Sequence, residues 1–578
     1  MTQRATGTAA GQPTLARYLA PGRWALIMIG VVSALINLLI LASPIYMMQV
    51  YDRVLSSGSV ETLVALTVMV GGAFLVLGLL EAVRSRLFAR HGAWVEDRLG
   101  PEVLRASLDL RRSGATRSAG GFQDLTRLRS FYGGQGIQPL FDAPWTPIFI
   151  AVVWLLHPWL GVVTIIATLV LVALAVLNEV ATRKPQGDGT RAAAALGTDT
   201  EAVIRNADVV RSLGLLRNFV ARWRRGSRTA SDALTRAADR GSVVIGASRF
   251  VRLFAQSAVL GVGAFLVLQA ELTPGGMIAA SILMGRALAP VEQAIGAWRN
   301  VVAARLSQRR LARLLAAAES LPEPQTLPAL AGNVELAGVT VLPPGQRPPD
   351  AVPILRNVSF KLDPGDVLGV VGPSASGKTT LCRILVGAWQ PFQGKIRLDG
   401  GELRHWDPAV LGPQIGYLPQ DVELFADSVR NNIARFDPEA DDAAVLAAAQ
   451  AADVHDMILR LKDGYNTQIG EAGAALSAGQ RQRIGLARAL FGNPRFLVLD
   501  EPNANLDTQG EAALMQAIER ARTGGATVVL VTHRLQILSQ VTKMLVLRDG
   551  QVDRFGPRDT VLAELRGPRQ VPATGQGG

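Results

Sequence analysis

Cysteine is almost missing from this chain: Cys382 is the only one among 578 residues. That excludes a disulfide within the chain and any cysteine-based metal cluster, and its position just after a pair of threonines suits a small core residue. Acidic residues are also in the minority, with 47 Asp and Glu against 59 Lys and Arg, which leaves a formal net charge of +12. Such an excess would fit a nucleic-acid partner if the basic residues formed one patch. Instead the arginines lie between long apolar runs, where orientation signals of membrane proteins are found, so no nucleic-acid partner is expected. No cleavable leader is evident. Residues 1–23 are polar and rich in small side chains. The apolar run that starts at Trp24 is too long for a signal-peptide core, lacks a small-x-small exit, and reads as a retained anchor.

What the chain has in abundance is apolar sequence. Hydrophobic residues make up 49%, and the mean hydropathy of +0.24 averages two unlike halves. A chain of this length exceeds one core, so at least two domains are expected. Six apolar stretches stand out, at 24–45, 62–80, 139–156, 160–180, 243–268 and 277–298. A bilayer span takes ~20 such residues, so these predict six membrane helices. Only His157-Pro158-Trp159 separates the third from the fourth, and residues 269–276 separate the fifth from the sixth. Arginines from Arg84 to Arg112 follow the second stretch, from Arg183 to Arg225 the fourth, and from Arg305 to Arg313 the sixth. The opposite connections carry Arg53 or no basic residue. Both termini and the two long connections are therefore expected in the cytoplasm. The long basic segments are expected to extend the spans as helices.

Several polar residues fall within or at the edge of these stretches, among them Asp142, Arg286 and Glu292. Each of these charges would cost ~2.5–3.5 kcal/mol at membrane depth, so they should face the bundle interior or water. They are candidates for a polar translocation path. The alternative is a structural pairing of Arg286 with Glu292.

A proline-rich break at 321–328 separates this half from a different kind of sequence. Residues 334–336, 354–362 and 366–371 read as strands. The last feeds Gly372-Pro373-Ser374-Ala375-Ser376-Gly377-Lys378-Thr379-Thr380, after which a helix opens. Strand, glycine-rich loop and helix are the setting of a Walker A phosphate cradle. Its glycines let backbone N–H groups approach phosphates. Lys378 supplies a cation between the outer two, and Thr379 a hydroxyl for Mg²⁺. Residues 495–500 read as a buried strand that ends in an acid. Asp500 is expected to bind Mg²⁺, and Glu501 to polarise the attacking water. Gln420, between the two Walker elements, suits a metal- and water-sensing role. His533 follows the apolar strand 526–531 and can reach the γ-phosphate end.

With Leu476-Ser477-Ala478-Gly479-Gln480 added, residues 330–565 resemble the nucleotide-binding domain of ATP-binding cassette (ABC) transporters. The resemblance implies ATP and Mg²⁺ as cofactors and a head-to-tail homodimer. Each ATP would lie between the Walker A loop of one subunit and Ser477, Gly479 and Gln480 of the other. Ile469-Gly470-Glu471-Ala472-Gly473 resembles the exporter loop that meets the membrane domain, and Asn505-Leu506-Asp507 the D-loop. The signature carries Ala478 where the family more often has glycine. No aromatic occurs between Val334 and Val358, where many exporters place one against adenine.

The implied fold has several domains. An all-α transmembrane domain of six helices, in the type I ABC exporter fold, precedes an α/β P-loop ATP-binding cassette domain. The expected bounds are an arm at 1–23, the membrane domain at 24–320, a linker at 321–333, the nucleotide-binding domain at 334–567 and a tail at 568–578. Residues 37–44, the run Tyr46 to Leu55, residues 140–147 and 157–161, and 341–345 are similar to type I secretion ATPases, in particular the branch that exports proteases of the RTX type. An N-terminal peptidase-like domain is not expected, since residues 1–23 hold neither Cys nor His. The resemblance implies ATP-driven export of an unfolded polypeptide with an uncleaved C-terminal signal, from the bacterial inner membrane. The implied partners are a periplasmic adaptor, an outer-membrane channel, the secreted polypeptide and membrane lipids. An exporter of lipids or drug-like molecules with the same architecture is the alternative. A non-pumping channel or scaffold is disfavoured, because Glu501 and His533 are both present.

Overall fold

The computed structural model describes residues 14–112, 120–134, 136–320, 322, 325, 327–346, 351–470, 473–504, 506 and 508–566. The chain divides into two units. The first is Met1–Ala106 with Gly120–Ala316, and the second is Ser107–Ala119 with Ala317–Gly578.

In the first unit six helical segments are long and apolar enough to cross a membrane: Leu15–Ser57, Val60–Arg112, Gln138–Leu156, Pro158–Arg205, Leu216–Leu268 and Pro274–Glu319. Four are unbroken helices longer than a bilayer is thick. Val60–Arg112 and Leu216–Leu268 have 53 residues each, or ~80 Å at 1.5 Å per residue. The basic stretches after spans two and four continue those helices, as expected. The third segment is broken into Gln138–Asp142, a 3₁₀ turn Ala143–Trp145, and Thr146–Leu156. Each piece starts beside a proline (Pro139, Pro144, Pro147), which lacks the N–H that would continue the preceding helix. His157 ends the span in an extended conformation, and its ring accepts the Trp159 N–H at 3.3 Å, which opens the fourth helix.

Phe149, Val153, Leu160, Leu171, Val259, Met284 and Leu288 form the apolar centre of this unit. The sixth span is the most enclosed, with 56% of its apolar window buried against 0% for the second.

Carboxylates inside the unit are closed by partners. Asp142 accepts from Arg84 at 3.0 Å and from Asn37 at 3.2 Å. Arg84 is therefore not a free orientation signal; its side chain is only 7% exposed. Asp124 accepts from Ser307 at 2.8 Å and from Arg310 at 2.6 Å. Asp52 accepts from the Gly275 N–H at 2.8 Å and the Thr273 hydroxyl at 2.7 Å, a carboxylate set at the positive end of the sixth helix. A Cβ at Gly275 would lie 2.6 Å from that carboxylate, so a larger residue there would push the Asp52 side chain off its N–H bond.

The second unit contains two sheets. Its strands are β1 Val334–Val341, β2 Leu355–Leu362, β3 Val367–Val371, β4 Gln393–Leu398, β5 Gly401–Glu402, β6 Ile415–Leu418, β7 Phe496–Asp500, β8 Thr527–Val531, β9 Lys543–Arg548 and β10 Gln551–Pro557. An antiparallel sheet runs β2-β1-β4-β5 and a larger one β10-β9-β3-β8-β7-β6. In the larger sheet only β10 is antiparallel. All five residues of β7 and of β8 are buried, which explains why both read as unbroken apolar runs. One face of this sheet packs on the helix Lys378–Leu385 and the antiparallel sheet, with Cys382 fully enclosed there. The other face packs on the helices Ala478–Leu490 and Thr508–Thr523.

Replacing Arg84 by Ala should destabilise the protein by roughly 3–5 kcal/mol, because it strands a buried carboxylate. Arg84→Met combined with Asp142→Leu should recover most of that loss. Thermal unfolding of the detergent-solubilised protein reads both.

Candidate active site

The parallel sheet delivers the site. β3, β6, β7 and β8 all point the same way, and the glycine-rich loop, Gln420, Asp500, Glu501 and His533 each stand at or just past the carboxyl end of one of them. β3 gives the glycine-rich loop, β6 Gln420, β7 Asp500 and Glu501, and β8 His533. Ligands of open parallel sheets bind at this edge.

The loop between β3 and the helix Lys378–Leu385 is tightly wound. Gly372 touches the Leu547 carbonyl so closely that a Cβ would come within 2.2 Å of it. Ala375 has φ +62° and Gly377 φ +99°. Alternating hand along such a loop turns successive N–H groups inward and makes an anion nest. Ser376 and Thr380 are buried in it, while Pro373 and Ser374 form its outer turn. The Lys378 ammonium donates to the carbonyls of Gly372 and Pro373, each at 2.9 Å, which fixes it across the cradle.

Four side chains converge beside the loop. The Thr379 hydroxyl lies 3.3 Å from Gln420 Oε1, and Gln420 Nε2 lies 3.3 Å from Glu501 Oε2. His533 Nε2 stands 4.0 Å from Glu501 Oε1. A chain of polar groups thus runs from the Thr379 hydroxyl to the Glu501 carboxylate. Asp500 is 1% exposed, and among the described residues neither carboxylate oxygen accepts a hydrogen bond of good geometry, although the Thr379 hydroxyl lies close by. Burial pushes its carboxyl above the ordinary value; nearby Thr379 lowers it, Glu501 raises it further, and Arg383 and Lys378 lower it. A buried carboxylate so placed, next to a hydroxyl and an amide oxygen, fits Mg²⁺, which takes few protein ligands when phosphates supply the rest.

Ser477 caps the helix Ala478–Leu490. Its hydroxyl accepts from the Gln480 N–H at 3.2 Å, and Gln480 Oε1 accepts from the Ser477 N–H at 2.8 Å. Gln480, expected to face nucleotide, has its side-chain oxygen engaged in this capping box. The N–H groups of Ala478 and Gly479 have no partner among the described residues, which leaves an anion site at the helix end. Glu471, Ala472, Asn505 and Asp507 lie outside the described residues, so the exporter-loop and D-loop motifs are only partly described.

The charges singled out in the membrane unit separate. Asp142 sits in the buried cluster with Arg84 and Asn37. Glu292 pairs with Arg252 of the fifth span at 2.5 Å, not with Arg286. Arg286 is exposed and has no ion pair among the described residues. Gln293, Gly296 and Asn300 are also exposed, at helical spacing on the same face, and the space beside Gly285 and Gly296 is open.

Sequence reasoning passed over several residues. Arg252 was visible as a charge within the fifth apolar run. Gln482, two residues past the signature, donates to the carbonyls of Glu501 and Pro502. Asn503 accepts from the Thr532 hydroxyl at 3.0 Å and ties the β7 loop to the β8 loop that carries His533. No sequence signal marked that tie.

Comparison with known proteins agrees with this geometry. The family described as ABC transporter matches residues 355–504, and the ABC transporter transmembrane region matches 26–291. The type I secretion system ATP-binding protein PrsD of Rhizobium meliloti (strain 1021) is 42% identical over 95% of this chain and 94% of its own length. The cyclolysin secretion/processing ATP-binding protein CyaB of Bordetella pertussis (strain Tohama I) is 34% identical, over 92% of this chain and 75% of its own length. The solved structure of a bacterial Atm1-family ABC exporter with ATP bound has the same fold, with a TM-score of 0.79. It covers 94% of this chain and 97% of its own at 23% identity.

Burial raises the Asp500 carboxyl in the folded protein above its unfolded value near 3.8, so folding favours the protonated form. The stability from this group is full below the unfolded value and lost as pH rises through the folded one. Asp500→Asn should therefore raise the melting temperature of the nucleotide-free protein, with a gain that grows from pH 4 to pH 7. The same change should reduce Mg²⁺-dependent ATP hydrolysis to background. Calorimetry across pH and phosphate release check the two halves.

Proposed function

This chain belongs to the ABC transporters, as an ATP-hydrolysing exporter of the type I secretion group, and from that premise we propose that it drives an unfolded polypeptide out of the cytoplasm. The observation that carries the catalytic part is the convergence of Thr379, Gln420, Glu501 and His533 beside the phosphate cradle. The cargo class rests on the relatives, two of which are named for secretion of proteins. An RTX-like cargo with an uncleaved C-terminal signal follows from the likeness to the protease-exporting branch. The same relatives favour a protein cargo over lipids or drug-like molecules.

The reaction is transfer of the γ-phosphoryl group of ATP to water. The loop N–H groups and Lys378 hold the phosphates and balance their charge. Mg²⁺, held by Thr379 and Asp500 with Gln420 beside them, would neutralise charge on the β- and γ-oxygens. Glu501 takes the proton of the attacking water, and the Gln420 amide aims its carboxylate. His533 stands where it can bond the γ-phosphate. The unpartnered N–H groups at Ala478 and Gly479 support the homodimer reading, in which they bind the phosphate held by the partner's loop. Nucleotide closes such a dimer and hydrolysis reopens it, which drives the membrane helices between two states.

The translocation path is assigned to the face of the sixth span that carries Arg286, Gln293 and Asn300. Arg286 lies 12 residues from the start of that helix, or ~18 Å in, near mid-bilayer. A charge there, without an ion pair among the described residues, belongs beside water rather than lipid. Asp142 and Glu292 support the path from behind, as closed ion pairs. Exposed apolar side chains such as Val68 and Leu155 face lipid. The arginine distribution supports an inner-membrane protein with its ATP-binding domain and both termini in the cytoplasm. A periplasmic adaptor and an outer-membrane channel complete the exporter.

Glu501→Gln should lower ATP turnover by roughly 10²–10⁴-fold, keep ATP binding, and stop export. Continued secretion by that variant would overturn hydrolysis-driven transport. Arg286→Leu should lower export much more than ATP turnover. Paired measurements of secreted protein and phosphate release in cells and membranes separate the two effects.

A further inference from the structure

Glu501 has a backbone that its side chain disfavours. Its φ is +50°, in the left-handed region, which a non-glycine residue adopts only at a cost. Such strain persists only where the surroundings over-determine it. Two clamps do so here. The Glu501 N–H donates to the Val531 carbonyl of β8 at 3.0 Å. On the other side, Gln482 Nε2 donates to the Glu501 carbonyl at 3.1 Å and to the Pro502 carbonyl at 3.0 Å. Gln482 is 4% exposed, so these bonds are made away from competing water. The left-handed turn after the straight strand β7 is what places the Glu501 carboxylate beside Gln420 and His533.

Gln482 stands on the helix Ala478–Leu490, little more than one turn from its open N-terminus. That N-terminus presents the unpartnered N–H groups of Ala478 and Gly479. A helix is stiff over one turn, so a shift of its first residues is carried to the Gln482 amide. We propose that Gln482 is a positioning residue. It ties the catalytic carboxylate of one ATP site to the helix end that receives the phosphate of the other site, so that occupancy of the second sets the aim of the first. This rests on Glu501 as the water-activating base and on the signature helix as an anion site in the homodimer.

The test uses the full-length protein in liposomes. Gln482→Met keeps the length and loses the donor. Gln482→Glu keeps the shape and turns an acceptor toward two carbonyls. Both should lower kcat at least tenfold, leave KM for ATP within twofold, and bring the Hill coefficient for ATP hydrolysis toward one. A kcat within twofold of the unaltered protein in both variants overturns the proposal. So does a loss matched by an equal fall in ATP affinity or in the folded fraction, which would make Gln482 a general packing residue. Glu501→Gln in the same assay separates the premise: turnover retained there would sink the reading of Glu501 as base, and this proposal with it. Turnover lost there but unchanged in both Gln482 variants would sink only the tie.

Discussion

The structure depends on the hydrogen-bonded register of four buried parallel strands. Asp500 pairs with Val531, and Leu418 with Leu499, so the strand ends lie in step. Neighbouring strands are ~4.8 Å apart, so β3 and β6, with β8 and β7 between them, lie ~14 Å apart along the sheet. That distance is what the Thr379–Gln420–Glu501 chain of polar groups spans. Sequence separations of 41 and 81 residues are brought to 3.3 Å by this arrangement and by nothing local. The apolar faces of the strands hold it in place, because a one-residue slip would exchange the side chains that meet the two packed layers and spoil the fit on both.

The site stores unfavourable terms that the core offsets. Asp500 is enclosed without a well-formed hydrogen bond among the described residues, while Ala375 and Glu501 are left-handed without being glycine. Each lowers the stability of the protein by itself and makes sense beside a phosphate, a cation or a water. The membrane unit follows a different rule. There Asp142, Asp124, Asp52 and Glu292 each find a partner, since an unpaired charge in such surroundings is too costly. Arg286 departs from that rule and shares its face with small and polar residues.

Much of the ATP half was legible in the sequence, because its motifs are contiguous and each lies on one loop. The buried strands showed as apolar runs, and the Gly372–Thr380 cradle needed only its order of residues. The six spans were legible because a bilayer demands length and hydrophobicity whatever surrounds the helix. The breaks in the third span follow from Pro139, Pro144 and Pro147, but how a chain re-forms helix after each proline depends on its neighbours. The pairing of charges was not legible. Arg286 and Glu292 are six residues apart, which places them on different faces of one helix, and Glu292 instead meets Arg252 from another span. Arg84 looked like one orientation signal among many until packing enclosed it with Asp142.

The sequence by itself therefore determined which chemical groups are present, which segments cross a bilayer, and the strand-loop-helix order of the phosphate cradle. These follow from local geometry and from transfer of side chains out of water, which need no knowledge of distant residues. Only the tertiary structure decided which polar groups meet: Gln420 with Glu501, Gln482 with the Glu501 backbone, Asp52 with the sixth helix. Such contacts are short-ranged and directional, so they exist only once packing has set the angle and distance between elements far apart in the chain.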